Sequence, residues 1–162
     1  ADDFISNCQP QVFFQRFFDA DDRRKREIEG CQTLSFAVLD KRDGPAEIYQ
    51  MAEAVGKVEA PGVIQKVVGK TATVREESCW KPGSDRLKLS YRQQKLGERV
   101  KVDGFLMAVE TPDGRTRVKA ELDVVVKVFG VAGMLERFVA ANIEKHLRLD
   151  NAYFNAKTGN KP

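Results

Sequence analysis

The sequence predicts an α+β fold in which a curved antiparallel sheet wraps around one long C-terminal helix. Three observations carry this. From Val118 to Val128 every even position is apolar, while Lys119, Glu121, Asp123 and Lys127 alternate with them, the mark of a strand with one wet face. Its partner, Val100 to Val109, is joined to it through Thr111-Pro112-Asp113-Gly114, a hairpin turn. The third is the apolar series Leu135, Phe138, Val139, Ile143, Leu147 and Phe154, at helical spacings within Met134 to Phe154. About 21 residues at 1.5 Å each make a rod of roughly 30 Å, and only the sheet offers its stripe a partner surface.

The remaining elements follow in order. Phe4-Ile5-Ser6 reads as a short strand. A helix near residues 10–19 comes next, opened by Pro10, with Phe13, Phe14, Phe17 and Phe18 along one side. Asp19 to Arg26 reads as a charged connection. Strands are expected over Thr33 to Leu39 and Ile48 to Val58, about a turn with Asp43-Gly44 at its centre. Pro61-Gly62 opens a short helix near residues 61–69. Strands resume over Thr71 to Trp80 and Leu87 to Gln93. In Val100 to Val109 the apolar parity switches from Val100 and Val102 to Phe105, Met107 and Val109. Gly104 sits at the change, which predicts a β-bulge that bends the sheet.

The chain has 162 residues, 42% of them hydrophobic and 31% charged, so one domain over residues 1–156 with a polar tail at 157–162 is expected. Its longest uncharged apolar runs, such as Phe129 to Leu135, fall far short of the roughly 20 residues that cross a bilayer. A net charge of +3, with a single basic cluster at Arg23, Arg24, Lys25 and Arg26, argues against nucleic acid. That cluster is either a solvated loop or a docking patch for anionic lipid headgroups, diluted by Asp19, Asp21 and Asp22. Cys8, Cys31 and Cys79 form an odd set without C-x-x-C spacing, which favours free thiols in the cytoplasm or another reducing compartment. Oligomeric state is left open by the sequence.

The order of elements resembles the helix-grip architecture of the START-like superfamily. Val55 to Trp80, with Pro61-Gly62 opening a helix and Glu76-x-x-x-Trp80 following, resembles an uncharacterised bacterial START-like family. So does the ending from Asp123 to Phe138, a last strand, a glycine-containing turn and a helix start near Leu135-Glu136. The sterol-transfer branch of the superfamily is also similar. The likeness spans about Phe4 to Asn155, with an unusually brief first strand as its departure. It implies a cavity between sheet and terminal helix that binds a hydrophobic small molecule, such as a lipid, without a cofactor and without covalent chemistry. The superfamily also includes cyclase- and hydrolase-type enzymes, which sets the alternative of catalysis on an enclosed apolar substrate. A module that docks on a membrane or a protein is a third reading.

Strand parity and the helix stripe nominate Trp80, Leu89, Tyr91, Val102, Phe105, Met107, Leu122, Val124, Val126, Met134, Leu135 and Phe138 as cavity lining. Glu76 and Ser78 share parity with Trp80 and point inward if it does; otherwise a register change turns Glu76 to water. His146, the only histidine, borders the helix stripe and reads as a packed or cavity-edge residue before a catalytic base. Glu76, Tyr91 and His146 are the acid-base groups an enzyme would have to use. No nucleophile elbow, zinc-protease helix or phosphate-binding loop occurs: Gly69-Lys70-Thr71 lacks the earlier glycine, which would fall at Ile64. No metal-ligand spacing is read.

Overall fold

The computed structural model describes residues 3–158. Seven strands form one antiparallel sheet: β1 (Phe4–Ser6), β2 (Ser35–Asp43), β3 (Ile48–Lys57), β4 (Thr71–Trp80), β5 (Arg86–Gln93), β6 (Val100–Glu110) and β7 (Thr116–Val126). Their spatial order is β1-β7-β6-β5-β4-β3-β2, so β2 to β7 form a meander and the two earliest strands occupy opposite edges. The helices are α1 (Pro10–Phe17), α2 (Ala20–Lys25), α3 (Gly62–Val68) and α4 (Ala132–Thr158). This is the expected curved-sheet and terminal-helix arrangement, with α4 lying across the sheet.

The 27 residues of α4 extend the expected helix at both ends and take in Lys157 and Thr158, placed in the tail by the sequence reading. The rest of that tail, residues 159–162, lies outside the described residues. The near end of α4 buries Leu135, with Phe138 and Val139 packed beside Ile64, Val68, Leu96 and Val100. Its far end is tied to the edge strand by hydrogen bonds. Asn151 Nδ2 and Asn155 Nδ2 both donate to the Ile5 carbonyl, at 2.8 and 2.9 Å, and Asn155 Oδ1 accepts from Asn7 N at 2.8 Å.

Between β1 and β2 the chain crosses from one edge of the sheet to the other, and the segment read as a charged connection is helical. Asp19 caps α2 by accepting from Asp22 N at 3.1 Å, acidic residues fill its first turn and basic ones its last, matching the helix dipole. A π-helical turn, Arg26–Gly30, follows. The aromatic face of α1 packs Phe14 and Phe18 against Trp80, with ring centroids 5.3 and 6.3 Å apart. Leu87, Leu89, Leu106 and Val118 complete this solid half of the core.

The bulge expected at Gly104 does not exist. Pairing of β6 with β7 runs without a shift from Val100↔Val126 to Glu110↔Thr116, and the even positions Val100, Val102, Leu106 and Ala108 are buried throughout. Phe105 and Met107 therefore lie on the outer face. Gly104 serves close approach instead, since a Cβ there would sit 2.8 Å from the Leu122 Cα. The sheet's register shift is on β2, between Val38 and Asp40.

Candidate functional site: a cavity under the terminal helix

A cavity of about 220 Å³ lies between the sheet and α4, partly open to solvent. Its origin is legible in β3 and β4, whose inward positions carry Ala52, Ala54, Gly56 and Ala72, too small to fill the space beneath the helix. Phe36, Val58, Val68, Val74, Val100 and Leu96 supply apolar walls, and Leu135, Phe138, Ile143 and Leu147 the roof from α4.

Of the residues nominated from sequence, Tyr91, Val102, Leu135 and Phe138 line this cavity, as do Glu76 and His146. The others lie elsewhere. Trp80 and Leu89 belong to the solid aromatic half. Phe105 and Met107 face outward because the parity never switches, and Met134 is 43% exposed on the free side of α4. Leu122 and Val124 border a separate cleft of about 240 Å³ between β7 and α4, while Val126 packs beside Leu135. Ser78 is fully buried opposite Gln50, and neither its hydroxyl nor Gln50 Oε1 has a hydrogen-bond partner.

One end of the cavity is polar. Arg23 reaches in from α2 and grips Glu76 with both amino groups, Nη1 to Oε1 at 2.6 Å and Nη2 to Oε2 at 2.7 Å. Its guanidinium stacks over the rings of Phe17 at 4.0 Å and Phe36 at 5.1 Å. Burial by itself would lower the Arg23 pKa, but the Glu76 carboxylate outweighs it and holds the group above its ordinary value. Tyr91 is pushed well above the usual phenol range, first by burial and then by Glu76.

Beside this pair, Glu27 on the π-helical turn meets His146 Nε2 at 2.9 Å and accepts from Thr33 Oγ1 at 2.8 Å. Arg23 Nη2 is 3.7 Å away. Burial raises the Glu27 pKa, but the His146 hydrogen bond and charge overcome it and bring the carboxyl down to about 2. Burial disfavours the His146 cation, yet contact with Cys31 and Glu27 raises its pKa well above the ordinary imidazole value.

The basic cluster is thus largely interior. Arg23 and Arg26 are 5% and 2% exposed; Arg26 Nε donates to Asp150 at 2.8 Å, and Arg26 also pairs with Asp22. Only Arg24 and Lys25 face water, so the four do not form a docking patch for lipid headgroups. The sequence reading missed Glu27. It carried no spacing signal, because its partners lie in Thr33 and, 119 residues away, His146. Cys8, Cys31 and Cys79 are free thiols, each half-buried. Among the described residues, no helix is long and apolar enough to cross a membrane.

A seven-stranded antiparallel sheet gripping one long helix defines a START-like helix-grip fold, and solved structures share it. TTHA0849 from Thermus thermophilus superimposes with a TM-score of 0.68 at 15% identity, covering 97% of each chain. Ara h 8.0201 does so with a TM-score of 0.66 at 13% identity, covering 96% of this chain and 95% of that one. A START superfamily protein from Mycobacterium smegmatis matches with a TM-score of 0.62 at 12% identity, over 97% of each. Residues 10–156 match a family model, and the chain belongs to that family, described as "Protein of unknown function (DUF2505)". No curated protein matches the sequence.

Proposed function

We propose that the protein binds a hydrophobic small molecule, without covalent chemistry, in the cavity beneath α4. The observation that carries this reading is the void itself: about 220 Å³ walled mostly by apolar side chains, with a polar end built from Arg23, Glu76, Tyr91, Glu27 and His146. An apolar cavity of roughly 150 Å³ accommodates benzene, so this one takes a ligand of about nine or ten heavy atoms. A full-length lipid would leave part of its chain in the cavity mouth, where Lys57 and Asn142 are exposed. Transfer of such a lipid is the finer form of the proposal. Apolar surface removed from water contributes about 25 cal/mol per Å².

Filling the void tests the reading. Ala54 faces the cavity from β3, and Ala54→Phe places a ring in it. With 1-octanol as ligand and titration calorimetry as readout, the wild type is expected to bind and Ala54→Phe to lose affinity at least about tenfold, while its unfolding midpoint holds. Equal binding by a folded Ala54→Phe, or no binding by the wild type, overturns the proposal.

A further inference from the structure

Beside the cavity, one loop and one helix bring together three donor groups of different kinds. Glu27 and Cys31 are four residues apart across the π-helical turn, where Cys31 N donates to the Arg26 carbonyl at 3.0 Å. The wide turn sets the two side chains on one face, and such turns recur at functional sites. Gln32 follows with φ 58°, the one positive value at a non-glycine residue among the described residues, and turns the chain back immediately after the thiol. Thr33 then closes the loop, its N donating to the Glu27 carbonyl at 2.9 Å and its hydroxyl to Glu27 Oε2 at 2.8 Å. At Gly30 a Cβ would lie 2.8 Å from the Tyr153 Cβ, so α4 presses directly on this loop. That contact carries His146 over the other two. A carboxylate oxygen, a thiol sulfur and an imidazole nitrogen all lie within 4.8 Å of one another.

We propose that Glu27, Cys31 and His146 form a binding site for a divalent transition metal of the zinc type, with its fourth coordination position facing the cavity. One thiolate, one imidazole and one carboxylate make a donor set suited to zinc, and three protein ligands leave one position open. With metal-ligand distances of about 2.0–2.1 Å for nitrogen and oxygen and about 2.3 Å for sulfur, tetrahedral geometry sets N to O near 3.3 Å and S to either near 3.5 Å. The His146 to Glu27 separation of 2.9 Å is already close to the first. The Cys31 sulfur lies within 4.8 Å of both other donors and has to draw closer to them on binding.

Charge balance also fits. The Glu27 carboxylate and the Cys31 thiolate together neutralise a dication, and two protons leave on binding, one from the Cys31 thiol and one from the His146 imidazolium. Arg23 stays on Glu76 through its two hydrogen bonds. Thr33 keeps its bond to one Glu27 oxygen and so orients the ligand from behind. Glu27 and His146 both line the cavity, so a ligand there can supply the fourth donor.

Cobalt(II) titration of the purified, metal-free full chain tests the site without any cavity ligand, so its outcome is separate from that of small-molecule binding. A thiolate-to-cobalt charge-transfer band in the near ultraviolet, saturating at one equivalent and abolished by zinc, is expected. Cys31→Ser removes the band and weakens binding at least about tenfold, and His146→Ala weakens it comparably. Cys79→Ser leaves both unchanged. Far-ultraviolet circular dichroism confirms that each variant is folded, and Cys31→Ser, the smaller change, decides if His146→Ala is not. Absence of the band in the wild type, or its persistence in Cys31→Ser, overturns the proposal.

Discussion

Arg23→Met is expected to cost the fold about 3–5 kcal/mol, read as a lowered midpoint in urea unfolding. The reason is what the substitution leaves behind. Glu76 is 7% exposed and each of its carboxylate oxygens accepts from this one guanidinium, so its carboxylate would remain buried without the cation that neutralises it. The loss should be recovered in large part by Arg23→Met combined with Glu76→Leu, because an apolar pair of similar volume often replaces a buried ion pair with little net change. A single variant costing less than about 1 kcal/mol would mean that water reaches Glu76 and that the polar end of the cavity is wetter than its geometry shows.

Gly104→Ala is expected to be as damaging, at about 3 kcal/mol or more, for an unrelated reason. The added Cβ meets backbone, the Leu122 Cα at 2.8 Å and the Glu121 carbonyl, not the end of a flexible side chain. Relief requires β6 and β7 to part where both strands are hydrogen-bonded. Gly56→Ala is the control: nothing lies within 4 Å of its Cβ position, and it should be neutral or stabilise by up to about 1 kcal/mol. If the two variants unfold alike, the close approach of β6 and β7 at Gly104 does not set the packing of the sheet.

What the sequence made legible was periodicity. The alternation of β7, the span Thr71–Trp80 and the existence of a long terminal helix all follow from repeats of two or about 3.6 residues, which a chain displays locally. The inward facing of Glu76 also follows from parity, once Trp80 is buried. Periodicity failed where both faces of a strand carry apolar groups. Phe105 and Met107 mimic a parity switch, but they are outer-face residues, with the Arg86 guanidinium 5.8 Å from the Phe105 ring centroid. It failed again at Arg23 to Arg26, because whether a charge is solvated or buried depends on its partner. For Arg23 that partner is 53 residues away, and for Arg26 it is 124. The void itself had a signal, the small residues Ala52, Ala54 and Gly56 on one face of β3, which a search for large apolar lining residues passes over.

The pairing of β1 with β7 has a consequence for how the chain reaches this structure. Ser6 lies opposite Thr116, and the Ile5 carbonyl waits for Asn151 and Asn155. At translation speeds of about 5–20 residues per second, the first strand is synthesised roughly 6–24 seconds before its partner is complete. The sheet can grow as a meander from β2 toward β7 in the meantime, each strand pairing with its predecessor. The β1 edge can close only once β7 exists and α4 can dock only after that, so in a chain that folds during synthesis the cavity acquires its roof after the sheet beneath it.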